Sequence, residues 1–99
     1  MGTVKNWSVS SNLIKDGRTL TGRLFFDEET FCFKADSVNG ILNLGEINYN
    51  QIQQVQQKNI FGFIPNGLMV KLKDGTDLLF VPLKRKKVRE YLIDKAKKE

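Results

Sequence analysis

Nothing constrains this chain more than Lys73-Asp74-Gly75-Thr76 and the two apolar-rich runs that flank it. Asp-Gly between alternating segments favours a tight hairpin turn, because glycine accepts positive φ at no steric cost. In the run before the turn, Leu68, Val70 and Leu72 share one face and Met69, Lys71 and Lys73 the other, which is the period of a half-buried strand. In the run after it, Leu78, Phe80 and Pro82 oppose Leu79, Val81 and Leu83. Burial on both faces is therefore expected near the end of that strand.

Strand signals recur upstream. After a loose tail over residues 1–5, Trp7-Ser8-Val9-Ser10 alternates like a short first strand, and Asp16-Gly17 marks a turn. From Thr19 to Phe26, Leu20, Gly22, Leu24 and Phe26 fall on one face and Thr21, Arg23 and Phe25 on the other. The acidic turn Asp27-Glu28-Glu29-Thr30 leads to Phe31-Cys32-Phe33-Lys34-Ala35, where Phe31, Phe33 and Ala35 are expected inward, giving a second hairpin. Asp36-Ser37-Val38-Asn39-Gly40 reads as a loop. Ile41 to Tyr49 reads as a further strand, with Ile47 and Tyr49 on one side.

Ile52 and Val55 stand three apart, which fits neither strict alternation nor a long helix, so a bend entering a strand is expected there. The five glutamines from Gln51 to Gln57 read as the solvated face of that strand. From Lys84 to Lys98, Val88, Leu92 and Ala96 recur at helical spacing with Tyr91 beside them, and Pro82 helps end the strand before. The expected fold is mostly β: about seven strands and one C-terminal helix, residues 84–98.

At 99 residues and 40% apolar composition the chain suits a single domain, residues 1–99. No apolar run approaches the roughly 20 residues of a membrane-spanning helix, and the N-terminus lacks a signal peptide's apolar core, so a cytoplasmic protein is expected. Cys32 is the only cysteine and histidine is absent. Neither an internal disulfide nor a Cys/His zinc site can be assembled, and no metal or cofactor is expected.

Catalysis finds little support. Ser8, Ser10 and Ser11 have no histidine to activate them, the glycines match no phosphate-cradling pattern, and Asp27, Glu28 and Glu29 read as an exposed turn. Cys32 reads as a small buried hydrophobe, a nucleophile only if its strand face were an electropositive cleft. The chain is expected not to be an enzyme.

Three groups of residues together resemble the GRAM family, a branch of the pleckstrin-homology (PH) superfold. They are Thr21-Gly22-Arg23-Leu24-Phe25-Phe26, the Ile47, Ile52, Val55 spacing, and Ile60-Phe61-Gly62-Phe63-Ile64-Pro65-Asn66-Gly67-Leu68 continuing through Lys73-Asp74-Gly75 and Phe80 to Arg85. The resemblance runs from about Leu13 to Ala96. It implies a PH-like bent antiparallel sheet, or split barrel, of seven strands closed by a C-terminal helix. It also implies a binding module, and such domains include lipid binders, peptide binders and scaffolds. Lipid-binding PH domains gather cations in the loop between their first two strands. Here the loops of that end hold Lys15, Arg18 and Lys73 against Asp16, Asp36, Asp74 and Asp77, a poor trap for phosphate.

The opposite end draws attention through charge. The net charge is +5, and residues 84–99 carry eight cations against three acids, so the remainder is neutral. Candidate anion- or lipid-binding residues are Lys84, Arg85, Lys86, Lys87 and Arg89. Ile60, Phe61, Phe63 and Ile64 form a candidate apolar docking turn, because hairpin topology puts the start of one strand near Gly67 beside the end of the next near Leu83. An apolar tip next to cations is how peripheral proteins sit on anionic membrane.

Two alternatives stand beside this reading. The turn folds back to cap the barrel, and the cations only keep the protein soluble. Four consecutive cations at a helix start oppose its dipole, a placement that makes sense if an anion is bound there. The expected function is docking to anionic phospholipid, phosphoinositides included, or to an acidic protein partner. The alternative is a protein-interaction or scaffold module using an exposed sheet edge or self-association. A nucleic-acid partner is disfavoured, since no base-reading motif accompanies the charge.

Overall fold

The computed structural model describes residues 7–36, 45–60 and 64–98, without the side chains of Ile60, Ile64, Pro65 and Lys98. The expected tail, most of the loop over residues 36–40, the first part of the expected strand from Ile41, and Phe61 and Phe63 lie outside the described residues. The elements run β1 (Trp7–Lys15), β2 (Arg18–Phe26), β3 (Thr30–Ala35), β4 (Ile47–Asn48), a 3₁₀ turn (Tyr49–Gln51), β5 (Ile52–Ile60), β6 (Ile64–Leu72), β7 (Asp77–Pro82) and α1 (Arg85–Lys98).

All strand pairs are antiparallel, and the sheet order is β4-β3-β2-β1-β7-β6-β5. The two edges of this sheet, β4 and β5, are joined by three residues, so the sheet curls into a half-barrel. The helix α1 packs against β5, β6, β7 and the 3₁₀ turn and closes it. This is the PH-like arrangement that the sequence leads one to expect.

Turn chemistry sets the hairpins. Asp16 and Gly17 both have positive φ, 52° and 77°, between the paired residues Lys15 and Arg18, as a two-residue hairpin requires. At the central hairpin, Gly75 has φ 96° and its N–H donates to Leu72 O at 3.0 Å, while Leu72 N donates to Thr76 O at 2.8 Å. Asp74 Oδ1 accepts from the Thr76 N–H at 2.9 Å, and that bond holds the carboxyl below its ordinary pKa.

The inward faces assemble as the alternation predicts: Leu24, Phe26, Phe31, Phe33, Leu68, Val70, Leu72, Leu78 and Phe80 are all buried. Val88 and Leu92 of α1 join them, with Tyr91 and Ala96 packed at the margin. A row of small inward residues crosses the sheet where Ala35 pairs with Gly22, Gly22 with Ser11, and Ser11 with Pro82. Here the β3 backbone occupies the space that a Cβ on Gly22 would need.

Four expectations need correction. The first strand is long, nine residues to Lys15. The strand expected to reach Tyr49 ends at Asn48, and Tyr49 begins the 3₁₀ turn, fully buried. The spacing of Ile52 and Val55 arises from a register shift between Ile52 and Gln54, where one extra residue returns Val55 to the inward face opposite Val70. Burial on both faces is only partial in β7, where Leu79 and Val81 are half-buried, and Leu83, expected on that face, lies beyond the strand and is 74% exposed.

Candidate functional site

The basic segment starts where β7 stops. Pro82 is the last residue of the strand, and the Leu83 N–H donates to Ser10 O at 3.0 Å, which fixes the backbone while the Leu83 side chain projects outward. Lys84 O then accepts the first helical bond, from Val88 N at 2.9 Å. Lys84 thus stands at the turn and α1 begins at Arg85, with no acid in its first turn.

Lys84, Lys86 and Lys87 are exposed, and Arg85 and Arg89 are half-buried on the flank of the helix. Among the described residues none of these five is in an ion pair; Lys71 and Asp77 form one at 4.0 Å elsewhere. Lys87 Nζ lies 4.7 Å from the centroid of the Trp7 ring, a cation–π contact. Arg89 Nε is buried and has no hydrogen-bond partner among the described residues. The structure therefore places the five predicted cations at the start of one helix, three of them exposed.

Of the predicted apolar turn, Phe61 and Phe63 lie outside the described residues, and Ile60 and Ile64 are known only as a backbone pair closing the β5–β6 hairpin. The antiparallel pairing of β6 with β7 does put the start of β6 and the end of β7 at one end. Sequence reasoning missed the apolar residue that is on view there, Leu83. Its signal was present in Pro82, which stops a strand and lets the next residue leave it.

A second cluster was not foreseen. The acidic turn after β2 has exposed side chains, as expected, but its backbone is tied to the helix. Asp27 O accepts from Tyr49 Oη at 2.7 Å and from Tyr91 Oη at 3.3 Å, and Glu28 O accepts from Lys95 Nζ at 3.0 Å. Lys95 also lies 5.6 Å and 5.8 Å from the centroids of Tyr49 and Tyr91. Trp7, Phe26 and Tyr91 pack as a ring cluster around this knot. Burial pushes the Tyr49 phenol far above its usual pKa, so it remains a hydrogen-bond donor at any ordinary pH.

Tyr49→Phe removes the shorter of the two hydrogen bonds to the Asp27 carbonyl while keeping the ring. It is expected to lower stability by about 1–2 kcal/mol, a drop of roughly 5–15 °C in Tm for a domain of this size, measurable by thermal unfolding. An unchanged Tm would mean that the Tyr49 hydroxyl contributes nothing.

Beside the knot is a cavity of about 350 Å³ lined by residues that include Trp7, Phe25, Asp27, Cys32 and Glu46. Cys32 is half-buried on the outward face of β3, not in the core as expected. Burial raises its thiol pKa first; Lys34 opposes this, and Glu46 and Asp27 add to it. Those conditions suppress the thiolate that a nucleophile needs. Among the described residues no group of three or more acids or thiols could hold a metal ion, and no helix is long and apolar enough to cross a membrane.

No family model and no curated protein matches the chain. Among solved structures it is similar to the crystal structure of the C-terminal domain of an unknown protein from Leishmania infantum, with a TM-score of 0.78 at 16% identity, covering 91% of this chain and 81% of that one. At that identity the likeness establishes the fold, a PH-like half-barrel of seven antiparallel strands with a C-terminal helix.

Proposed function

We propose that this domain is a non-enzymatic docking module of GRAM type that seats on anionic phospholipid through Leu83 and the cations that follow it. The observation that carries the reading is the 74% exposure of Leu83 on the turn immediately before Lys84, Lys86 and Lys87. A leucine directly before exposed lysines gives this turn an apolar side chain for the acyl boundary of a membrane beside cations for its head groups. Each basic residue near an anionic surface contributes roughly 1 kcal/mol, and full burial of a leucine about 1.5–3 kcal/mol. Three exposed lysines and one leucine together give about 5 kcal/mol, a weak and reversible attachment in the range of 10⁻⁴ M.

The half-buried Arg85 and Arg89 add to the positive charge of the same first two turns of the helix. Since α1 carries no acid in its first turn, a phosphate there would also relieve repulsion among the cations and meet the positive end of the helix dipole.

Leu83→Ser tests the apolar half of the proposal separately from the charge. The side chain is exposed, so unfolding should be unchanged, whereas binding to vesicles containing anionic lipid should weaken about tenfold. If vesicle binding is as strong with serine at this position, Leu83 does not enter the membrane and the apolar part of the proposal is wrong.

A further inference from the structure

Strand β5 is an edge of the sheet, and among the described residues it is hydrogen-bonded as a strand to β6 alone. Its nine residues, Ile52–Ile60, include one charge, Lys58. Natural edges are usually shortened, bulged or charged to prevent pairing with another chain. Here register shifts mark both ends of β5, but Gln54 to Lys58 pair with β6 in unbroken register, leaving a regular stretch whose outer edge faces away from the sheet.

At the start of that stretch Gln54-Val55-Gln56 is symmetric about Val55, while Gln53 before it is the extra residue of the bulge and lies outside the regular pairing. Two copies laid antiparallel with a two-fold axis at Val55 would place Val55 against its own copy and Gln54 against Gln56. Each side-chain amide then meets another amide, and no charge faces a charge. A closed two-fold contact of this kind is isologous, so it ends at a dimer without propagating.

The side chains suit the pairing. Val55 is half-buried and Gln54 exposed, and a second Val55 would cover the apolar surface that the first leaves open. A cavity of about 310 Å³ between Ile52, Gln53, Gln54 and Val55 on the strand and Ile93, Ala96 and Lys97 on α1 gives room beside the edge for the side chains of an added strand.

We infer that β5 is a self-association edge, pairing two copies of this domain antiparallel about Val55. The inference stands apart from membrane docking, and salt separates the two. Each copy carries +5, so screening should strengthen the dimer, whereas it weakens attachment to an anionic surface.

The test is sedimentation equilibrium of the purified protein from micromolar to millimolar concentration at low and high salt, with two double variants of verified fold. Gln54→Glu with Gln56→Glu puts like charges opposite each other twice in the dimer, and should weaken it on the order of tenfold. Gln54→Glu with Gln56→Lys puts opposite charges at the same two places, and should restore or tighten it. In both variants the carboxylate introduced at position 54 would stand beside Lys71 of its own chain, the pairing partner on β6, so the fold is not penalised.

A wild type that stays monomeric throughout would overturn the inference and leave the edge for a strand of another protein or for none. A dimer indifferent to both variants, or weakened equally by both, would place the contact elsewhere and overturn it as well.

Discussion

Gly22→Ala is expected to cost about 3 kcal/mol, the upper end of overpacking costs, out of the 5–15 kcal/mol typical of whole domains, and to lower Tm by about 15 °C. A Cβ built on Gly22 would collide with Lys34 O, approach the tip of the Phe33 ring to 2.7 Å and Ala35 Cα to 2.9 Å. Two of these three neighbours are backbone in the paired strand β3 and cannot turn aside as a side chain could. The collision lies at the row of small residues that crosses the sheet, so relieving it would mean opening the β2–β3 pairing.

Gly75→Ala is the control. It has φ 96° with nothing within 4 Å of a Cβ, so only the torsional cost of about 1 kcal/mol applies. Thermal unfolding of both variants decides the matter. A loss at Gly22 no larger than that at Gly75 would show that β3 gives way to the added methyl at little cost.

The second large effect concerns binding. Lys84, Lys86 and Lys87 changed together to Glu should abolish attachment to anionic vesicles, since losing three cations at roughly 1 kcal/mol each already weakens it more than a hundredfold. The same change should leave the fold intact. Acids suit the first turn of a helix, by ~0.3–1 kcal/mol each, and this offsets loss of the Lys87 contact with Trp7, worth about 0.5–1 kcal/mol at an exposed site. A triple variant that folds as well as wild type and still sediments with anionic vesicles would remove the basic turn from the account.

What could be read from the sequence was local. Asp16-Gly17 and Asp74-Gly75 announce their turns because positive φ is a property of one or two residues, and Val88, Leu92 and Ala96 announce the buried face of α1 by spacing alone. Contacts that join distant segments leave no such trace. Tyr49 and Tyr91 converge on the carbonyl of Asp27 across 22 and 64 residues, and nothing in the acidic turn itself signals that its backbone is held. The bulge after Ile52 was visible only as a spacing that fitted no template.

The cationic half of the candidate site was legible because charge is written in composition. Leu83, the exposed apolar residue beside those cations, was missed for a physical reason. Alternation assigned Leu83 to a face of β7, but a strand face exists only while the strand lasts, and β7 stops at Pro82. The chain then turns into α1 and Leu83 is left outside.

The central claim is that this end of the molecule attaches to anionic membrane, and co-sedimentation with vesicles tests it most directly. The wild type would be mixed with neutral vesicles and with vesicles containing anionic phospholipid, each at low and at physiological salt. The account predicts pelleting with anionic vesicles alone, strongest at low salt and reduced at physiological salt as the charges are screened. Protein that stays in the supernatant with every vesicle and at both salt concentrations would contradict it.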